Sequence, residues 1–156
     1  MVEKLKMIWQ DAKQLKDERG LTLVELLVVV VILGIIAAIA VVAIGGIIEN
    51  SKEDALKSDA KQMVSAAKLY TASNDVANNT VLILAGAATS PEVDATTYMQ
   101  ETKDPYGDSP YTKGLVKVGR DAKGSYTYSV FIDGKKDLGT AAKPIAENSI
   151  ETTTLK

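Results

Sequence analysis

The dominant pattern in the chain is a run of 23 residues, 26–48 (LLVVVVILGIIAAIAVVAIGGII), with no charged or strongly polar side chain. As a helix rising about 1.5 Å per residue it reaches roughly 35 Å, against a bilayer core of about 30 Å. That length predicts a membrane-crossing helix rather than a buried core helix, whose uninterrupted apolar stretches more often run to about 10–14 residues. The β-branched series at 28–32 would suit a strand in water. A lone strand in lipid leaves its backbone polar groups unpaired, so helix is the reading for a single segment.

The pattern changes on both sides of this run. Residues 1–20 (MVEKLKMIWQDAKQLKDERG) place Leu5, Ile8, Trp9, Ala12 and Leu15 at helical spacing, as an amphipathic helix on a membrane surface would. Five basic residues (Lys4, Lys6, Lys13, Lys16, Arg19) accompany four acidic ones (Glu3, Asp11, Asp17, Glu18). Orientation follows Lys and Arg rather than net charge, so this end is expected in the cytoplasm and residues beyond 48 outside. After the run, Ile48, Leu56, Ala60, Met63, Ala67 and Tyr70 recur at spacings of 3, 4 or 8, with Glu49, Lys52, Glu53, Lys57, Lys61 and Lys68 on the other faces. One helix from about residue 21 to 73 is the economical reading. Its outer half is amphipathic, with Leu56, Met63 and Tyr70 facing a head and the lysines read as a solvated face.

The head starts near Asn74 and Asp75, where Asn78, Asn79, Gly86, Ser90 and Pro91 break the helical signal. Residues 81–85 (VLILA) are a short strand or a buried helical turn, which periodicity does not separate. Residues 115–118 read as a first strand, 119–124 as a turn, 125–132 (SYTYSVFI) as a strong second strand and 133–136 as another turn. Residues 141–154 hold a weak final strand or trail off, and the Thr-rich end from 146 to 156 reads as exposed surface or a frayed terminus. The expected fold class is α+β: a long N-terminal helix, transmembrane in its first half and amphipathic in its second, packed on a small antiparallel sheet of about three strands. A head of about 80 residues is small for an independent core, so the amphipathic half-helix must supply part of it.

Composition sharpens this picture by exclusion. The 156 residues carry a formal net charge of -2 and include no histidine and no cysteine. Imidazole and thiol nucleophile systems, thiol or imidazole zinc sites and disulfides are therefore ruled out. No cofactor and no enzymatic activity are expected, and few Lys/Arg clusters leave nucleic acid as no evident partner.

One ionisable residue, Glu25, stands at the edge of the apolar run, where burial at membrane depth costs about 2.5–3.5 kcal/mol on the lenient insertion scales. A secretory cleavage site is nominally matched by Ala38, Ile39 and Ala40, but a cut there would split the apolar segment. The string Arg19, Gly20, Leu21, Thr22, Leu23, Val24, Glu25, Leu26, Leu27, Val28, continued by Gly34, Ala37, Ala38 and Ala40, resembles the class III signal of type IV prepilins and pseudopilins. The resemblance implies cleavage by a prepilin peptidase between Gly20 and Leu21 on the cytoplasmic side, and N-methylation of Leu21. It divides the chain into a leader at 1–20, a transmembrane and filament-core helix at 21–48, its amphipathic continuation at 49–73 and a globular head at 74–156. The mature part would have 136 residues and a net charge of -3. Cleavage creates an ammonium at Leu21, and the Glu25 carboxylate one helical turn away is its natural partner in an apolar bundle, making Glu25 an assembly determinant.

The resemblance further implies a homopolymeric filament whose extension needs an assembly ATPase and a membrane platform. The subunit would sit in the cytoplasmic membrane before assembly and in an extracellular pilus afterwards. Leu21 in place of the usual phenylalanine, Val42 where many pilins have proline, and a leader longer than the shortest of the family depart from the common pattern. The lack of cysteine resembles pilins of Gram-positive bacteria and the major pseudopilins of type II secretion. The segment Asp104, Pro105, Tyr106, Gly107, Asp108, Ser109, Pro110, Tyr111 resembles the one preceding the hairpin in major pseudopilins, with one extra residue between the glycine and the second proline. The family's calcium loop would place oxygens at Asp133 and Asp137, although Pro and Gly already account for these stretches as turns. Pilus subunit, pseudopilin of a secretion or DNA-uptake machine, and single-pass membrane protein with a ligand-binding or enzymatic head are the readings to separate.

Overall fold

The computed structural model describes the backbone of residues 2–155 and the side chains of residues 2–11 and 22–155. A single helix, α1, runs Val2–Ser73. Five strands follow: β1 (Thr80–Ala85), β2 (Val93–Asp94), β3 (Lys113–Arg120), β4 (Tyr126–Asp133) and β5 (Ile145–Ala146). By contacts the chain divides into two compact units, Met1–Ile48 and Glu49–Lys156.

In the first unit the helix carries its apolar side chains outward. Among residues 22–48 all are exposed except Ala40, which is half-buried. α1 includes a segment long and apolar enough to cross a membrane, with none of it buried in the chain.

In the second unit the strands form one sheet in the order β2-β1-β3-β4-β5. β1 and β2 are parallel; the other neighbours are antiparallel, with β3 and β4 in register from Lys113 opposite Asp133 to Arg120 opposite Tyr126. The fold is thus α+β, with one parallel pair. β5 is the weak final strand, one of the two readings of residues 141–154, whereas β2 is not expected from the pattern; each has two residues, too short for an alternation to show in the sequence. Residues 81–85 belong to β1.

Strand alternation sorts the core. Leu82 and Leu84 of β1, Val116 and Val118 of β3, and Val130 and Ile132 of β4 join Leu56, Ala60, Met63, Val64 and Ala67 of α1 in one buried cluster. Their neighbours Ile83, Leu115 and Phe131 project to the opposite side of the sheet and form a second, smaller cluster. Tyr70 closes the helix row edge-to-face with Tyr98, centroids 5.2 Å apart. α1 ends where Asn74 donates both its backbone N–H and its Nδ2 to the Tyr70 carbonyl, at 2.9 and 3.0 Å.

The C-terminal stretch is not frayed. Ile150 is fully buried in the main cluster and Leu155 packs against it. Nor are the lysines of α1 merely solvated: Lys61 pairs with Glu151, Lys68 with Glu147, and Lys57 donates to the Glu151 carbonyl at 3.1 Å as well as pairing with Glu53 at 2.7 Å. Two large apolar residues five positions apart among polar ones, Ile150 and Leu155, give no periodic signal, which is why the tail reads as surface until the helix is placed beside it.

Candidate functional site

The N-terminal determinants lie along α1. Glu25 is exposed and stands four residues, about one helical turn, beyond position 21 in the chain. The side chains of Gly20 and Leu21 fall outside the described residues, while the helical backbone passes through both positions. Immediately beyond Glu25 begins the exposed apolar wall. The Glu25 carboxylate and the exposed apolar wall thus adjoin along α1.

The head holds two arrangements that sequence reading missed. The first is a clamp made by Asp104, a carboxylate only 5% exposed. Its Oδ1 accepts the Tyr106 N–H at 2.8 Å and its Oδ2 accepts the Lys135 N–H at 2.6 Å, tying the 104–111 segment to the turn after β4. Gly134 makes room for this: a Cβ there would stand 2.8 Å from Oδ2. The aspartate before Pro105 signals a turn in sequence, but its second partner, 31 residues away, does not. In the same turn Asp137 Oδ1 accepts the Gly134 N–H at 3.3 Å, and Asp133 is the last residue of β4. Among the described residues no three acidic side chains gather as a metal would require.

The second arrangement joins the helix to the segment. Tyr111, 3% exposed, donates its hydroxyl to Asp59 Oδ2 at 2.7 Å. Burial raises the Asp59 pKa above its usual range; the Tyr111 hydrogen bond pulls it back, and the charge of Asp104 raises it further. Burial and the adjacent carboxylate also push the Tyr111 phenol up. A third carboxylate, Glu92, is held at a pKa of about 2 by Lys113 and by the backbone N–H and hydroxyl of Thr89. Lys113 reaches it at 2.6 Å and the Thr89 donors at 2.9 and 2.8 Å. All three carboxylates are thus engaged in holding segments of the head together.

An open groove of about 740 Å³ lies between α1, β4 and the tail, lined by Lys61, Val64, Tyr126, Tyr128 and Glu147 among others. Its two charged residues are committed to ion pairs that fasten the tail.

Against known families, residues 15–41 match the prokaryotic N-terminal methylation motif. No curated protein and no solved structure matches the chain. The motif match spans residues 15–19, with two basic and two acidic side chains, then Gly20, Leu21, Glu25 and the first part of the apolar wall. Together with the long apolar helix and the α+β head that follows it, the motif supports a type IV pilin-like protein.

Proposed function

We propose that this chain is the structural subunit of a type IV pilus, cleaved between Gly20 and Leu21, methylated at Leu21 and polymerised through its apolar helix. The observation that carries the reading is the apolar wall of 23 residues, exposed but for the half-buried Ala40, into which the methylation motif at 15–41 runs. Covering such a surface is worth on the order of tens of kcal/mol at about 1.5–3 kcal/mol per large side chain. Lipid covers it before assembly and the helices of neighbouring subunits cover it in the filament. The membrane pool, the prepilin peptidase, an assembly ATPase and a platform follow as partners, and the filament lies outside the cell.

Glu25 sets the register. An ammonium at Leu21 drawn into an apolar bundle needs a carboxylate, and a pair is tolerated where a single charge is not. The test is to shear cells expressing the chain, image the fraction for filaments and sequence the N-terminus of the filament protein. Long filaments whose subunits begin at residue 21 are expected. A different N-terminus, or a protein that never leaves the membrane fraction, overturns the reading.

A pseudopilin of a secretion or DNA-uptake machine is the second reading, supported by the segment at 104–111. In this head it is no surface ornament: its Asp104 and Tyr111 are buried and bind the turn after β4 and the helix. Short filaments seen only on overexpression would favour it over the pilus.

A further inference from the structure

We propose that the N-terminal leader is a membrane-surface helix that binds the anionic lipid headgroups of the cytoplasmic leaflet, with Trp9 in the headgroup layer. The backbone of α1 is helical from Val2 onward, and Leu5, Ile8 and Trp9 project outward at 68%, 67% and 72% exposure. At about 100° per residue these three fall within one arc of roughly 100°. In the sequence, Ala12 and Leu15 continue the same row.

The charges are sorted about that row. Counted in the same way along the sequence, Lys4 and Lys13 border it, Lys6 lies next to Lys13, and Lys16 and Arg19 fall within its arc at the end nearest Gly20. All four acidic residues, Glu3, Asp11, Asp17 and Glu18, occupy the remaining arc together with Met7. A helix merely exposed to water has no reason to separate its charges this way. One lying on an anionic surface does, because basic stems snorkel to phosphates beside the buried row while acidic groups are kept on the water side. The neighbouring membrane helix brings the row to the lipid without a separate binding step. Lying on the surface while residues 26–48 cross it requires α1 to bend between the two. Gly20, the single glycine before Gly34, is where interrupting the helix costs least, and it borders the proposed cut.

The inference rests on the membrane-crossing reading of residues 26–48 and is independent of filament assembly. Trp9 is the chain's one tryptophan and therefore a built-in reporter. The full uncleaved chain is placed in lipid nanodiscs made either of phosphatidylcholine alone or of phosphatidylcholine with phosphatidylglycerol, and Trp9 emission and quenching by acrylamide are measured. Expected in the anionic discs are a shift to shorter wavelength and a quenching constant several-fold below that of free tryptophan. Protection should weaken in the neutral discs and in about 1 M salt, where the screening length falls to about 3 Å. Leu5→Glu with Ile8→Glu should restore quenching in the anionic discs, whereas Met7→Glu, off the row, should not. Equal quenching in the two lipids, or a double variant as protected as the parent, overturns the proposal, and so does a Met7→Glu variant that loses protection equally. A chain that does not co-purify with the discs would instead defeat the membrane reading, so the two failures are distinguishable.

Discussion

Asp104 shows how a single buried carboxylate can organise a loop-rich head. Its two oxygens accept backbone N–H groups from Tyr106 and Lys135, and removing it strands both donors. Asp104→Ala is expected to lower head stability by roughly 1–3 kcal/mol, measured as a fall in the urea midpoint of the full chain in detergent. Gly134→Ala should act in the same direction, since its new Cβ meets the Asp104 carboxylate that those two N–H groups hold in place. Gly86 is constrained more directly: at φ +82°, with a Cβ position 2.3 Å from the Thr112 carbonyl oxygen, it admits no side chain without movement of the backbone at Thr112, just before β3.

The pH dependence also belongs to residues. Glu92 has a folded pKa of about 2 against an ordinary 4.5, so its contribution is fully present above 4.5 and is lost as the pH falls through about 2. Asp94, lowered by the Thr96 N–H and hydroxyl, and Glu151, lowered by Lys61, act in the same sense. Asp59 is opposite in sign: its raised pKa means that protonation on acidification favours the folded state. A Glu92→Gln variant is therefore expected to show a flatter decline in urea midpoint between pH 4.5 and 2 than the parent. Tyr111→Phe, which removes the donor to Asp59, should cost most at pH values where Asp59 is ionised.

At the scale of elements, the tail and the outer half of α1 depend on one another. Two kinds of contact join them, and their magnitudes differ. Exposed ion pairs such as Lys61 with Glu151 and Lys68 with Glu147 are each worth about 0–1 kcal/mol. Truncating a fully buried Ile150 to alanine should cost about 2–5 kcal/mol. Ile150→Ala is accordingly expected to lower the urea midpoint clearly and to expose the C-terminal stretch to proteolysis, whereas Lys61→Ala should leave both nearly unchanged. Similar losses from the two variants would mean that the ion pairs, not the apolar anchor, hold the tail.

At the scale of the whole molecule, the two units have different requirements. The head, Glu49–Lys156, has its own core, in which the helix residues Leu56, Ala60, Met63 and Ala67 share with the sheet. In the other unit, residues 26–48 present an exposed apolar surface, which the proposed function assigns to lipid and then to neighbouring subunits. Glu25→Leu should therefore leave membrane insertion intact, read by carbonate extraction, yet abolish or greatly reduce incorporation into filaments. Normal filaments from that variant would remove Glu25 from its assembly role. Replacing Gly20 with a bulky residue should leave an unprocessed band on a gel, and normal processing would count against the proposed cut.

What the sequence determined by itself is whatever depends on neighbours in the chain. The helix to Ser73 was legible because residues 26–48 are an unbroken apolar run of bilayer-spanning length, residues 48–70 repeat apolar positions at helical spacing, and Asn74 follows. β3 and β4 were legible from β-branched and aromatic runs between turn residues, and the methylation motif from local order around Gly20 and Glu25. Only the tertiary structure decided the rest. β2 and β5 exist because longer strands offer edges to pair with. Asp59 and Tyr111 meet across 52 residues, and Ile150 finds its place only once α1 and β4 are side by side. The physical reason is that such contacts derive their energy from burial and from partners distant in sequence, and no local pattern records which distant surface will be there.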